Sequence, residues 1–199
     1  ILDNTLFRQA NLDKAVFNNS RLSQTDFTDS SLSAALFNQI HGEEVKFNGT
    51  NLTLAIFSDS NLNNCNFTSA NLKELGVNQT TFEESIFTEV QAEKLTASNA
   101  MFASCDFTKA NFASANLVNS EISSSIINDT NFTGLYAPEL KLFGTVGTGT
   151  CFKNANLTQS RSDEETLLHK ANFSNATLTD VAWEGVKMPE GDFTSAIMD

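Results

Sequence analysis

The side chains that could carry a reaction are few: His41 and His169, Cys65, Cys105 and Cys151, and 24 carboxylates. A zinc site needs Cys and His at short, paired spacings. Neither histidine has a second histidine or a cysteine within four residues of it. A nucleophilic Ser, Cys or Lys needs a base beside it, and no spacing in the chain supplies one. The stretch Gly144-Thr145-Val146-Gly147-Thr148-Gly149-Thr150 is glycine-rich but lacks the lysine of a phosphate loop, so it reads as distorted backbone before it reads as an anion cradle. The sequons at Asn48, Asn66, Asn131 and Asn172 recur with the sequence pattern and say little about glycosylation. The expectation is a protein with no catalytic residues, no cofactor and no metal.

Charge narrows the partners. Twenty-four acids against 12 bases leave a net charge of −12 in 199 residues. Direct nucleic-acid binding needs a basic footprint and an anionic membrane attracts basic segments; neither is expected here. No apolar run approaches a transmembrane span. No signal peptide is visible and the chain starts at Ile1, so a trimmed N-terminus is expected. Unpaired cysteines fit a reducing compartment, which favours a bacterial cytoplasm. The 40% hydrophobic content suffices for a core, and 17 Phe beside one Trp and one Tyr suggest one kind of slot filled many times.

The elements that must position these groups follow from a period of five. Large apolar residues run Leu2, Phe7, Leu12, Phe17, Leu22, Phe27, Leu32 and Phe37, resume at Phe47, and continue with few gaps to Leu157. A second set, two residues earlier, is small or modest in size: Ala10, Ala15, Ser20, Thr25, Ser30, Ala35, Cys65, Cys105 and their equivalents. No charged residue before Leu157 occupies either set. Five is neither the helical nor the strand period. Residues i and i−2 pointing the same way describe a short extended segment with one buried face, so five residues make one side of a coil: a strand of two or three residues, then a turn.

Large residues alternate Leu and Phe through Phe37. Stacking like on like requires a coil length that is a multiple of ten, and twenty is the smallest that encloses a core. About ten coils at ~4.8 Å then give a rod about 48 Å long. Phe7, Phe27, Phe47, Phe67, Phe87 and Phe107 are expected to form one internal ladder, with Leu12, Leu32, Leu52 and Leu72 opposite. Cys65 and Cys105 fall two coils apart on one side, about 9–10 Å between backbones, too far for a disulfide. Gly42, Ala92, Ala97, Ala137 and Gly147 underfill large slots; Leu95, Leu135 and Leu140 are placed to compensate.

Ala10-Asn11-Leu12, Ala70-Asn71-Leu72, Ala110-Asn111-Phe112, Ala155-Asn156-Leu157 and Ala171-Asn172-Phe173 resemble the tandem motif of pentapeptide-repeat proteins, over nearly the whole chain. The resemblance implies an all-β fold, a right-handed quadrilateral parallel β-helix. It implies no single function. Some members resemble B-form DNA in width and charge and occupy the DNA site of type II topoisomerases, giving quinolone resistance or gyrase inhibition. No dimerisation helix of the kind expected of those relatives is visible before Asp199.

One unit, residues 1–199, is expected, with a loop or short helical insertion around 158–171. The frame slips there: Leu157 and Phe173 are sixteen apart, and Ser160 precedes acids and two leucines as a helix cap would. The Phe17-led side carries Asp59, Glu139, Asp180 and Asp199 with no Lys or Arg, and shows Val16, Leu36 and Ile56 outward, then Val118 and Tyr136. Branched residues suit exposed strand positions by propensity, but contiguous exposed apolar ladders also mark binding surfaces. Val16, Leu36, Ile56 and Tyr136 are therefore the candidate partner surface. The alternative is the acidic Leu2-led side with Glu43, Glu44, Glu83 and Glu84. The expected activity is a non-enzymatic scaffold that binds another protein, as a monomer or an end-to-end homodimer; the alternative is DNA mimicry at gyrase.

Overall fold

Nearly every side of the coil turns on one residue in the left-handed region, the corner between Ser162 and Leu167 being the exception. Asn4, Gln9, Lys14 and Asn19, with φ of 58°, 53°, 61° and 59°, open a series at intervals of five that continues along the chain. A non-glycine residue held there costs roughly 1–2 kcal/mol. The coil stack offsets this cost, because the N–H groups of these residues donate upward: Asn4 to the Ser23 carbonyl at 2.9 Å, Gln9 to Thr28 at 3.0 Å, Lys14 to Ser33 at 2.8 Å.

The structure is a computed structural model describing residues 1–199, and its regular elements are strands of two or three residues with isolated bridges between them. All pairing is parallel. Leu36–Asn38 pairs with Ile56–Ser58, and that with Gly76–Asn78. On another side, His41, Asn61, Thr81, Met101, Glu121, Lys141, Arg161 and Ala182 form one ladder. A third links Leu6, Asp26, Lys46, Asn66, Ile86, Asp106, Ile126, Val146, Leu167 and Lys187, and a fourth begins Asn11, Ser31, Asn51, Asn71. Four ladders mean four sides, and partners lie twenty residues apart.

The register is twenty at Lys141↔Arg161 and twenty-one at Val146↔Leu167. The extra residue therefore sits between Ser162 and Leu167. In place of the expected loop or short helical turn, strands Arg161–Ser162 and Leu167–His169 continue the coil. Asp163 makes this possible. Its Oδ1 accepts the Gly144 N–H at 2.9 Å and the Thr166 hydroxyl at 2.9 Å, closing a corner one residue wider than the rest. Ser162 occupies the large inward slot and bonds the Leu142 carbonyl at 3.0 Å.

Inside, Phe7, Phe27, Phe47, Phe67, Phe87 and Phe107 stack with centroids 4.8–5.2 Å apart. The column opposite is not the Leu12 series: Phe17, Phe37 and Phe57 meet it edge-on across the lumen, at 5.5 Å for Phe17–Phe27 and 6.0 Å for Phe47–Phe57. Five residues turn one corner, so Leu12 lies on an adjacent side and ten residues are needed to cross. Further along, the rings move to Phe82 and Phe102, then to Phe112, Phe132, Phe152, Phe173 and Phe193. Leu95, Leu135 and Leu140 are buried beside the undersized slots. At Gly42 a Cβ would lie 2.8 Å from both Leu62 and Val45, so their side chains already fill that space.

Candidate functional site

The repeat sends the residue just before each large core residue outward, and on the Phe17-led side this makes a column. Val16 bridges Leu36, and Leu36 pairs with Ile56. Val16 is 65% exposed and Ile56 40%, with Leu36 half-buried between them. The structure brings these three together on successive rungs. It does not bring Tyr136 to them: Gly76, Thr96 and Asn116 intervene in the same column, and Tyr136 stands apart, exposed. Val118 lies beside the column, two residues beyond Asn116.

Sequence reasoning passed over Leu54. It occupies a left-handed corner at φ 61° and is half-exposed, two residues from Ile56. Corner positions tolerate many residue types, so a leucine there carried little signal. A second apolar column was also passed over, although the same spacing rule reaches it. On the Phe7-led side Ile126, Val146 and Leu167 pair on consecutive rungs, each about two-fifths exposed.

The acidic candidates are spaced out. Glu43 and Glu83 share a column with Asn63 between them, and Glu44 and Glu84 take corners at φ 54° and 50°. Glu44 accepts from the Gln24 amide at 3.0 Å. Near the far end, a cleft of about 1070 Å³ straddles the corner between this side and the Phe17-led side. Glu139, Asp163, Glu164, Asp180 and Glu184 line it with Lys141, Arg161 and Phe143. The Gly144 N–H, ahead of all other groups, holds the Asp163 carboxyl below the ordinary range. No group of His, Cys, Asp and Glu converges as a metal ion would require.

Cys65 and Cys105 are buried free thiols, and burial pushes both up to about 12. Cys151 is unpaired and partly exposed. One buried charge is notable: Asp26, 2% exposed, lies under Arg8 with 2.7 Å from the guanidinium Nε to Oδ2.

The family model for pentapeptide repeats matches residues 1–39, 43–75 and 98–134, in 8 copies. No curated protein sequence matches the chain. Among solved structures, the chain is similar to full-length QnrB1, a plasmid-mediated fluoroquinolone resistance protein. That match has 14% identity and a TM-score of 0.50, covering 98% of this chain and 91% of that one. It is also similar to HetL, a pentapeptide repeat protein involved in heterocyst differentiation regulation from the cyanobacterium Nostoc sp. strain PCC 7120. There the identity is 16% and the TM-score 0.48, over 96% and 90% of the two chains. At this identity the likeness to QnrB1 is one of fold.

Proposed function

The chain belongs to the pentapeptide-repeat family, and we propose that it is a non-enzymatic scaffold that binds another protein through a flat side of its β-helix. The observation that carries this reading is the column Val16, Leu36, Ile56, stacked in register and open to solvent. A rigid backbone presents these side chains without having to be ordered on binding, which lowers the cost of association. The same side has acids and no Lys or Arg, so an apolar patch bordered by basic groups is its electrostatic complement.

The test replaces Val16, Leu36 and Ile56 together with Ser. The side chains lie outside the core, so the fold should persist. Affinity capture from source lysate, with cross-linking and mass spectrometry, should return one protein with the parent chain and lose it with the variant. Capture of the same protein at the same strength by both would remove this surface, and the side bearing Glu43, Glu44, Glu83 and Glu84 would take its place.

A second reading is duplex-DNA mimicry at a type II topoisomerase such as gyrase. The net charge of −12 and the shared fold with QnrB1 favour it. Charge density weighs against it. A duplex has one charge per ~1.7 Å, so a rod of about 48 Å would need roughly 28, against 24 acids offset by 12 bases here. A gyrase supercoiling assay with added protein separates the two readings: inhibition or quinolone protection supports the mimic.

A further inference from the structure

We infer that the occupant of the Val16–Leu36–Ile56 surface is an amphipathic α-helix lying along the coil axis, with its N-terminus toward Glu74 and its C-terminus toward Lys14. This rests on the scaffold reading above and names the partner's form. The first argument is spacing. Successive rungs are ~4.8 Å apart, so the three apolar residues span about 9.6 Å. Two helical turns advance ~10.8 Å, and side chains at i, i+3, i+4 and i+7 can meet every rung. A strand laid along the same line presents a side chain every ~6.8 Å and falls out of step after one rung.

The second argument is relief. The corner column beside the strip reads Lys14, Ala34, Leu54, Glu74, all in the left-handed conformation. Ala34 is short and lies next to Leu36, while Leu54 projects one rung further on. Ala34, between Lys14 and Leu54, is the smallest side chain of these four, so a helix side chain of leucine size can pass over it without meeting a long neighbour. Beyond Ile56 the strip stops at Gly76, which offers no side chain.

The third argument is charge, and it sets direction. Lys14 stands at the Val16 end. Asp59 flanks Ile56 at the other end, and Glu74 lies one rung beyond. All three are exposed and none belongs to an ion pair of the chain. A helix carries partial positive charge at its N-terminus and negative at its C-terminus, so it is favoured with its N-terminus over Asp59 and Glu74.

The probe is a labelled 18-residue synthetic peptide with Leu at helical spacing and equal Lys and Glu on the other face. Its control has the same composition with Leu at alternate positions. Fluorescence anisotropy should show the helical pattern binding at least tenfold tighter. Leu54→Ser or Ile56→Ser should each weaken it at least tenfold, and Val146→Ser should leave it unchanged. A spin label on the peptide N-terminus should broaden the amide signals of Gly76–Asn78 and spare those of Val16–Asn18. Equal binding of both patterns, or no response to Leu54→Ser, overturns the helix; broadening at the Val16 end overturns its direction. Failure here is distinguishable from failure of the surface itself. If the triple Ser variant loses capture while the two peptides bind alike, the surface stands and only the helix falls.

Discussion

The hydroxyl of Ser60 accepts the backbone N–H of Ile40, one coil away, at 3.1 Å, and in turn donates to the Phe37 carbonyl at 2.9 Å. The pattern recurs at Ser85 with Cys65, Ser120 with Ala100 and Ser125 with Cys105. At most corners the equivalent N–H closes a turn within its own coil, as Ala35 does to Leu32 at 3.0 Å. At four of the corners where that turn bond is missing, a serine hydroxyl from the next coil supplies the acceptor. The small inward residues are thus part of the hydrogen-bond framework as well as of the packing.

Ser60→Ala should therefore cost about 1–3 kcal/mol, because it strands a buried N–H. Ser30→Ala is the control. Ser30 only donates to the Phe27 carbonyl, and the Ala10 N–H one coil below bonds Phe7 within its own coil, so it should cost less than about 1 kcal/mol. Urea titration of both variants decides; equal losses would mean that the hydroxyl acceptor contributes nothing.

Phe67 is 1% exposed, stacked between Phe47 and Phe87 at 4.8 Å each and meeting Phe82 edge-on at 5.8 Å. Phe67→Ala should cost about 3–5 kcal/mol as a cavity mutation. Thr68→Ala loses the bond to Asn66 Oδ1 at a partly exposed site and should cost below about 1 kcal/mol. Denaturant midpoints at unchanged slope measure both, and similar losses would contradict the inward and outward assignment.

The ladder architecture was legible because large apolar residues at a fixed interval leave no other way to bury one face. Two features were not. Ser162 breaks the apolar period, since a polar residue can take a core slot when a carbonyl such as that of Leu142 is in reach. The leucines after it then look like a short helix although Leu168 alone points inward. Of the candidate surface, spacing located Val16, Leu36 and Ile56 but linked Tyr136 to them across three polar or small rungs. Leu54 went unread because its exposure depends on a left-handed backbone that no side-chain pattern announces.

Asp26 supplies a pH dependence. Burial acts to raise its pKa, but hydrogen bonds from Thr28, side chain and backbone, and from Arg8 outweigh it and bring the carboxyl down to about 2. An unfolded aspartate titrates near ~3.9. The depressed value means stability that is present above about pH 4 and lost as pH falls through about 2. Arg8 is more than half exposed, so screening limits the gain to about 1–2 kcal/mol. Acid titration of unfolding should fall more steeply between those pH values in the parent than in Asp26→Asn; parallel curves would sink the assignment.

Leu54 should reveal opposed effects on stability and binding. A leucine at φ 61° carries roughly 1–2 kcal/mol of backbone cost, and its side chain is half-exposed, so little burial offsets it. Asparagine tolerates the same conformation and can bond locally. Leu54→Asn should raise the unfolding free energy by up to about 1 kcal/mol. If Leu54 is the raised edge of a helix-binding strip, the same substitution should weaken the helical peptide at least tenfold. Thermal or urea unfolding gives the first quantity and anisotropy the second. A variant that is less stable than the parent would mean that Leu54 packs against the coil after all. Its exposure would then no longer speak for a bound partner.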